Sequence, residues 1–241
     1  MLILNRILNR KNVFSVNFVQ YFFRMGINET PRHQGMRKKL VEGLKIKGIR
    51  NEKVLEAIGK VPRHLFMEST FIQFAYKDQA FPIGAGQTIS QPFTVAMQTQ
   101  LLQIEKGDKV LEVGTGSGYQ AAVLLELGAK VFTIERQKEL YMRVHRFLPE
   151  IGYNPACFFG DGYKGLPNFA PFDKIIVTAG ATSVPEDLKQ QLVINGIMVI
   201  PVGTDQRQEM TVITRISEDE FKSEKHGDYV FVPLLKGTVN F

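Results

Sequence analysis

Three glycines at alternate positions, Gly114, Gly116 and Gly118, stand between two acids, Glu112 and Glu135. Glycine lets a chain turn sharply and lets a ligand approach where a Cβ would clash. The apolar run before the loop, 109–113, reads as a short buried strand, and 119–127 after it as a helix. The free N–H groups and dipole of that helix start favour an anionic group. A second apolar run, 130–134, ends in Glu135. An acid at the end of the second strand of a βαβ unit is placed to accept hydrogen bonds from both hydroxyls of a ribose. The chemistry this predicts is the holding of a nucleoside cofactor. The plain alternative is a tight strand-to-helix turn with no ligand.

The glycine spacing is G-x-G-x-G rather than the G-x-G-x-x-G of the dinucleotide fingerprint. With Glu112 ahead of it, the loop resembles the first motif of S-adenosylmethionine (AdoMet)-dependent methyltransferases, in which the acid lies near the methionine part of the cofactor.

The elements needed to position such a site follow along the chain. The runs 109–113, 130–134, 156–159, 172–178 and 196–203 read as strands with helices between them. Two more strands, 209–216 and 229–235, are joined by the polar turn Ser217-Glu-Asp-Glu220. Alternating strands and helices followed by strands alone predict an α/β fold. Its sheet is doubly wound and Rossmann-like, mostly parallel, with a C-terminal antiparallel hairpin. Ahead of it, 36–47 reads as a helix and Asn51 as the cap of another over 52–59. Residues 75–92 read as a long irregular loop, of a kind that is often functional. Pro92 suits a first helical position.

Composition narrows the class. With 241 residues, 44% hydrophobic and 22% charged, the chain suits one α/β domain with a large core. The net charge of +6 is concentrated: residues 1–28 carry Arg6, Arg10, Lys11 and Arg24 and no acid, leaving 26 basic against 24 acidic residues beyond them, a net of +2. A strong phosphate-binding face is not implied, so no nucleic-acid partner is expected. The single cysteine, Cys157, cannot form an intrachain disulfide and reads as a buried strand residue, which fits a reducing compartment. The four histidines show no metal-ligand spacing, and no metal site is expected.

Residues 1–25 differ from the rest, mixing Leu, Ile, Val and Phe with Asn and Arg. Their longest apolar stretch is well short of the ~20 residues of a membrane span, and no clean cleavage site follows. A transit peptide or membrane-surface helix is one reading. The preferred one is an incidental extension ahead of a start at Met25 or Met36. The expected organisation is therefore an extension over 1–35 and a single AdoMet-dependent methyltransferase domain over 36–241.

A larger resemblance covers the chain from about residue 36 onward. The stretches Val61-Pro-Arg-His-Leu-Phe66, Ala75-Tyr-Lys-Asp78 and Pro82-Ile-Gly-Ala-Gly-Gln-Thr-Ile-Ser-Gln-Pro92 are followed by Leu111-Glu-Val-Gly-Thr-Gly-Ser-Gly-Tyr-Gln-Ala-Ala122 and Thr133-Ile-Glu-Arg136. Then come Gly160-Asp-Gly-Tyr-Lys-Gly-Leu-Pro167, Ala170-Pro-Phe-Asp173, Val177-Thr-Ala179, Val199-Ile-Pro-Val-Gly203 and Phe231-Val-Pro-Leu234. In this order they resemble the protein-L-isoaspartate O-methyltransferase family, the Gln-Thr-Ile-Ser-Gln-Pro segment most specifically. Phe81 and Gly180 depart mildly from its pattern.

The resemblance implies methyl transfer from AdoMet to the free α-carboxylate of L-isoaspartyl residues in damaged proteins. The ester then collapses to a succinimide, which partly reopens to aspartate. An α-carboxyl group, with a pKa of roughly 3.3–3.7, is already anionic at neutral pH, so no strong general base is needed. Alignment of oxygen, methyl and sulfur supplies much of the acceleration. By the same resemblance Ser90 is the active-site serine, positioning the substrate carboxylate; its alternative role is a helix N-cap. Thr88, Ile89, Glu112, Gly114, Thr115, Gly116, Gly118, Glu135, Arg136, Asp161 and Gly162 are assigned to the cofactor, Glu135 holding the ribose and Asp161 with Gly162 the adenine. Asp78, Val232, Pro233 and Leu234 are weaker assignments to the substrate; Asp78 could equally make a turn and the other three could be core. Arg63 and His64 read as packing and surface residues.

Other readings remain. An AdoMet-dependent enzyme acting on nucleic acid or a small molecule shares the fold, although Thr178-Ala-Gly-Ala-Thr182 lacks the Asn/Asp-Pro-Pro-aromatic motif of exocyclic-amine methylation. A non-catalytic AdoMet-binding module is the alternative from another class. The expected partners are isoaspartyl peptides and proteins, for a cytoplasmic monomer with no stable membrane association.

Overall fold

The computed structural model describes residues 29–240. The readings made for residues 1–25 lie outside them. Helix α1 (Pro31–Ile46) begins five residues ahead of the apolar pattern. Its start is fixed by capping instead: the Thr30 hydroxyl accepts the His33 N–H at 3.2 Å, His33 Nδ1 faces the Thr30 N–H at 3.5 Å, and Pro31 takes the first turn. Helix α2 (Glu52–Lys60) starts as expected, with Asn51 Oδ1 accepting the Val54 N–H at 3.3 Å. Short 3-10 turns, Arg63–Phe66 and Ser69–Phe74, follow.

The stretch read as an irregular loop contains a small antiparallel hairpin, β1 (Phe81–Gly84) with β2 (Gln87–Ile89). It escaped the sequence reading because Pro82 and the glycines on either side of Ala85 leave too short an alternation to register. Helix α3 (Pro92–Leu102) then leads to β3 (Lys109–Val113), α4 (Tyr119–Glu126), β4 (Lys130–Glu135), α5 (Lys138–Glu150) and β5 (Ala156–Phe159). After these come β6 (Phe172–Val177), the short α6 (Glu186–Gln190), β7 (Leu192–Thr204), β8 (Arg207–Arg215) and β9 (Phe221–Tyr229).

The main sheet has the order β5-β4-β3-β6-β7-β8-β9. β5 through β7 run parallel, and β8 and β9 close the sheet antiparallel. The α/β doubly wound arrangement with a C-terminal hairpin is thus the observed fold. One face of the sheet buries Val110, Val131 and Val199 with Leu102 of α3 and Leu124 of α4; the other buries Leu111, Ile175 and Phe172 with Leu188 of α6. A third cluster joins α1, α2 and the outer side of α4 to Leu140, Val144 and Leu148 of α5.

The last strand differs from expectation. β9 occupies 221–229, and the apolar run expected as a strand over 229–235 instead leaves the sheet beside Gly180. The reason is burial. Residues 222–228 are polar and exposed, as suits an edge strand. Val232 and Leu234 pack against the sheet's own core, at the strand ends. Cys157 is half-buried rather than buried, with its thiol pushed up to about 11 by burial. Among the described residues no helix is long and apolar enough to cross a membrane.

Candidate active site

Strand order reverses at β3. From it the chain winds outward one way through β4 and β5 and the other way through β6 and β7. A crevice opens beyond the carboxyl ends of strands at such a point. Here it is lined from β3 by Val113, Gly114, Thr115 and Gly116, from β4 by Ile134, Glu135 and Arg136, and from β6 by Thr178 and Ala179. It is open to solvent at its mouth and narrows between these strand ends and the wall opposite.

The glycine loop is held tightly from below. Gly114 has φ +98, and a Cβ there would lie 2.5 Å from the Thr178 hydroxyl, which donates to the carbonyls of Gly114 at 2.7 Å and Val113 at 3.0 Å. Glu135 closes the loop from the side: its carboxylate accepts the Gly116 N–H at 2.9 Å and the Gln137 N–H at 2.8 Å. Gln120, at the start of α4, is 7% exposed and donates to the Thr99 hydroxyl at 3.0 Å, while its Oε1 has no partner. An orphaned acceptor on the wall of a cleft is a place for a ligand donor.

The β1–β2 hairpin and the joint after it supply the opposite wall, through Thr88, Ile89 and Ser90. Ser90 sits between the end of β2 and Gln91, the N-cap of α3. Its hydroxyl does not cap that helix. The capping acceptor comes from Asp78, whose Oδ1 takes the Phe93 N–H at 2.8 Å while Oδ2 pairs with Lys47 at 2.6 Å. Ser90, whose hydroxyl makes no hydrogen bond to the described residues, lines two spaces. A second cleft, between the joint and the β8–β9 edge, shares Thr88, Ser90, Thr178 and Val232 with the first and adds Arg207, Asp228 and Tyr229.

The segment after β9 closes the floor. Gly180 and Val232 to Leu234 exchange backbone hydrogen bonds, Gly180 N–H to the Val232 carbonyl at 2.8 Å and Leu234 N–H to the Gly180 carbonyl at 2.7 Å. Farther on, the Asp161 carboxylate accepts the Tyr163 N–H at 2.9 Å and the Gly237 N–H at 2.8 Å.

Twelve of the sequence-assigned positions meet on the first cleft: Thr88, Ile89, Ser90, Gly114, Thr115, Gly116, Glu135, Arg136, Gly162, Val232, Pro233 and Leu234. Four do not line it. Gly118 is needed for packing, since a Cβ there would meet Val144 at 2.9 Å. Asp161 stands beside Gly162 and accepts two backbone N–H groups, and Asp78 caps α3. Glu112 is fully buried behind the loop. Burial pushes its carboxyl up to about 8, against the pull of the Thr133 hydroxyl that donates to it at 2.5 Å. Thr133 in turn touches the Thr115 hydroxyl at 2.7 Å, so two hydroxyls link Glu112 to the cleft.

The sequence reading missed Gln98, Gln120, Thr178 and Ala179. The last two follow a strand end at the reversal of strand order, and that position alone could have flagged them. Arg63 and His64 are packing residues, as one half of the reading had it, and neither lies at the surface: they are 0% and 3% exposed.

The sequence model described as Protein-L-isoaspartate(D-aspartate) O-methyltransferase (PCMT) matches residues 35–239. A protein-L-isoaspartate O-methyltransferase of Christiangramia forsetii is 61% identical over 211 residues, 87% of this chain and 99% of that one. Its counterpart in Flavobacterium psychrophilum is 58% identical over the same shares. Among solved structures, a protein-L-isoaspartate O-methyltransferase superposes with a TM-score of 0.73 at 28% identity, covering 82% of this chain and 65% of that one. A Plasmodium falciparum beta-aspartate methyltransferase in complex with S-adenosyl-L-homocysteine superposes with a TM-score of 0.72 at 27% identity, covering 83% and 99%.

Proposed function

The chain belongs to the protein-L-isoaspartate(D-aspartate) O-methyltransferase family, and we propose how the residues of its two clefts divide the reaction between them. The enzyme transfers a methyl group from AdoMet to the free α-carboxylate of L-isoaspartyl residues, the step that starts repair through the succinimide. AdoMet supplies an electrophilic methyl on a sulfonium, and the carboxylate oxygen takes it as the carbon–sulfur bond breaks.

The first cleft takes the cofactor. Glu135 keeps lone pairs for ribose hydroxyls beyond the two N–H groups it accepts. Gln120 Oε1 is an unspent acceptor suited to an ammonium group. Asp161, fixed by Tyr163 and Gly237, sets the turn that brings Gly162 to the wall; the adenine belongs beside it. Gly114, Thr115, Gly116, Arg136, Thr88 and Ile89 complete the enclosure, and Glu112 steadies the loop from behind.

The second cleft takes the peptide. Ser90 lines both, as Thr88, Thr178 and Val232 also do, and its place in both clefts carries the reading. Its hydroxyl donates to the substrate carboxylate and orients one oxygen along the transfer axis. No residue has to remove a proton, because the nucleophile is ionised before it arrives. Val232, Pro233 and Leu234 frame the isoaspartyl residue from the floor. The net of only +2 beyond residue 28 favours proteins over nucleic acid as substrates, and a cytoplasmic monomer with no stable membrane association completes the proposal. The expected unit is the single domain over 36–241.

The test is methyl transfer from labelled AdoMet to two synthetic peptides that differ only in carrying isoaspartate or aspartate. Base-labile label on the isoaspartyl peptide alone is the expected result. Label on both peptides, or base-stable label, contradicts it.

A further inference from the structure

Arg63 is the largest fully buried side chain among the described residues. Its Nε donates to the Ala75 carbonyl at 3.0 Å, and its Nη2 donates to the carbonyls of Gln79 at 3.3 Å and Ser90 at 2.9 Å. The guanidinium plane lies 4.9 Å over the ring of Tyr119, which itself lines the cofactor cleft. Gln79 stands just before β1 and Ser90 just after β2, so one side chain ties together the two feet of the hairpin. Burying a cation is costly, and an apolar residue could fill the same volume. What an apolar residue could not do is fix three carbonyls from a rigid planar fork.

The Ser90 joint needs such a fixture. It is a two-residue link between β2 and α3, and its own hydroxyl makes no hydrogen bond to the described residues. Asp78 anchors the far side of the same joint through Phe93. Arg63 anchors the near side, at Ser90 itself. Burial lowers the guanidinium to about 10, which still leaves it charged at neutral pH.

We propose that Arg63 is a positioning residue for methyl transfer, holding the Ser90 backbone so that the Ser90 hydroxyl meets the substrate carboxylate along the transfer axis. The inference rests on the reading of Ser90 given above. A displacement of about 1 Å in such a group can cost about 100-fold in rate.

The experiment is a double-mutant cycle on the full chain with an isoaspartyl peptide. Arg63→Lys and Arg63→Gln are each made alone and with Ser90→Ala, and kcat, peptide KM and AdoMet Kd are measured. Alone, Arg63→Lys is expected to lower kcat by about 10- to 100-fold, with AdoMet Kd within about twofold. With Ser90 already alanine, the same change is expected to lower kcat by less than about twofold. Equal losses in both backgrounds, or a wild-type kcat in Arg63→Lys and Arg63→Gln, would overturn the proposal. Failure of both single variants to fold would overturn it too, because Arg63 would then serve the fold and not the site. If Ser90→Ala alone keeps wild-type kcat, the reading of Ser90 falls and takes this inference with it. An impaired Ser90→Ala with equal Arg63 losses removes the inference alone.

Discussion

The Glu135 carboxylate accepts the backbone N–H of Gly116 at 2.9 Å, joining the end of β4 to the glycine loop that follows β3. One side chain therefore shapes the loop and lines the cleft. Replacing it should disturb both tasks in the same cleft.

Glu135→Ala is expected to weaken AdoMet binding by about 10- to 100-fold, the worth of hydrogen bonds to a charged group. Calorimetry on the purified chain reads this directly. An affinity within twofold of wild type would remove Glu135 from the ribose.

Glu112 predicts a pH dependence of stability. Burial holds its carboxyl at about 8, above the ordinary carboxylate range near 4.3. The folded state therefore keeps a proton that the unfolded chain has lost. This contribution is fully present below about pH 4 and is lost as pH rises to about 8, with a slope of up to about 1.4 kcal/mol per pH unit. Glu112→Gln should flatten that slope between pH 5 and 8 in urea denaturation. A variant with the wild-type slope would show that Glu112 is ionised in the folded protein.

Asp78 is a helix cap delivered from a distant turn. Asp78→Ala is expected to cost about 1 kcal/mol of stability, while Lys47→Ala, which removes a largely exposed ion partner, should change it by less than about 0.5 kcal/mol. Denaturation midpoints separate the two. Unchanged stability with a raised peptide KM in Asp78→Ala would assign the carboxylate to the substrate instead.

How far the sequence disclosed this arrangement depends on the range over which each feature acts. The run from Lys109 through Gly118 and on to Glu135 was legible because strand, turn and acid lie within one βαβ unit. Asn51 and Pro92 were legible as helix starts for the same local reason. Gly118 looked like its two neighbours in the loop, but what it must clear, Val144 and Leu148, lies on α5. Arg63 was misread because its three acceptors lie 12, 16 and 27 residues away, and nothing in its own neighbourhood marks it as buried. The segment after Tyr229 has the apolar character of a strand. Of its side chains Phe231 and Leu234 are buried, at the end of the sheet and the cleft floor, and composition cannot tell that burial from a place in the sheet.

The central claim is that the two clefts meet at the Ser90 hydroxyl. Turnover of an isoaspartyl peptide by Ser90→Ala at saturating AdoMet, with AdoMet affinity measured on the same sample, tests it most directly. The account predicts a kcat lowered by about 10- to 100-fold and an affinity within about twofold of wild type. A wild-type kcat, or a loss that follows weakened AdoMet binding, would contradict it.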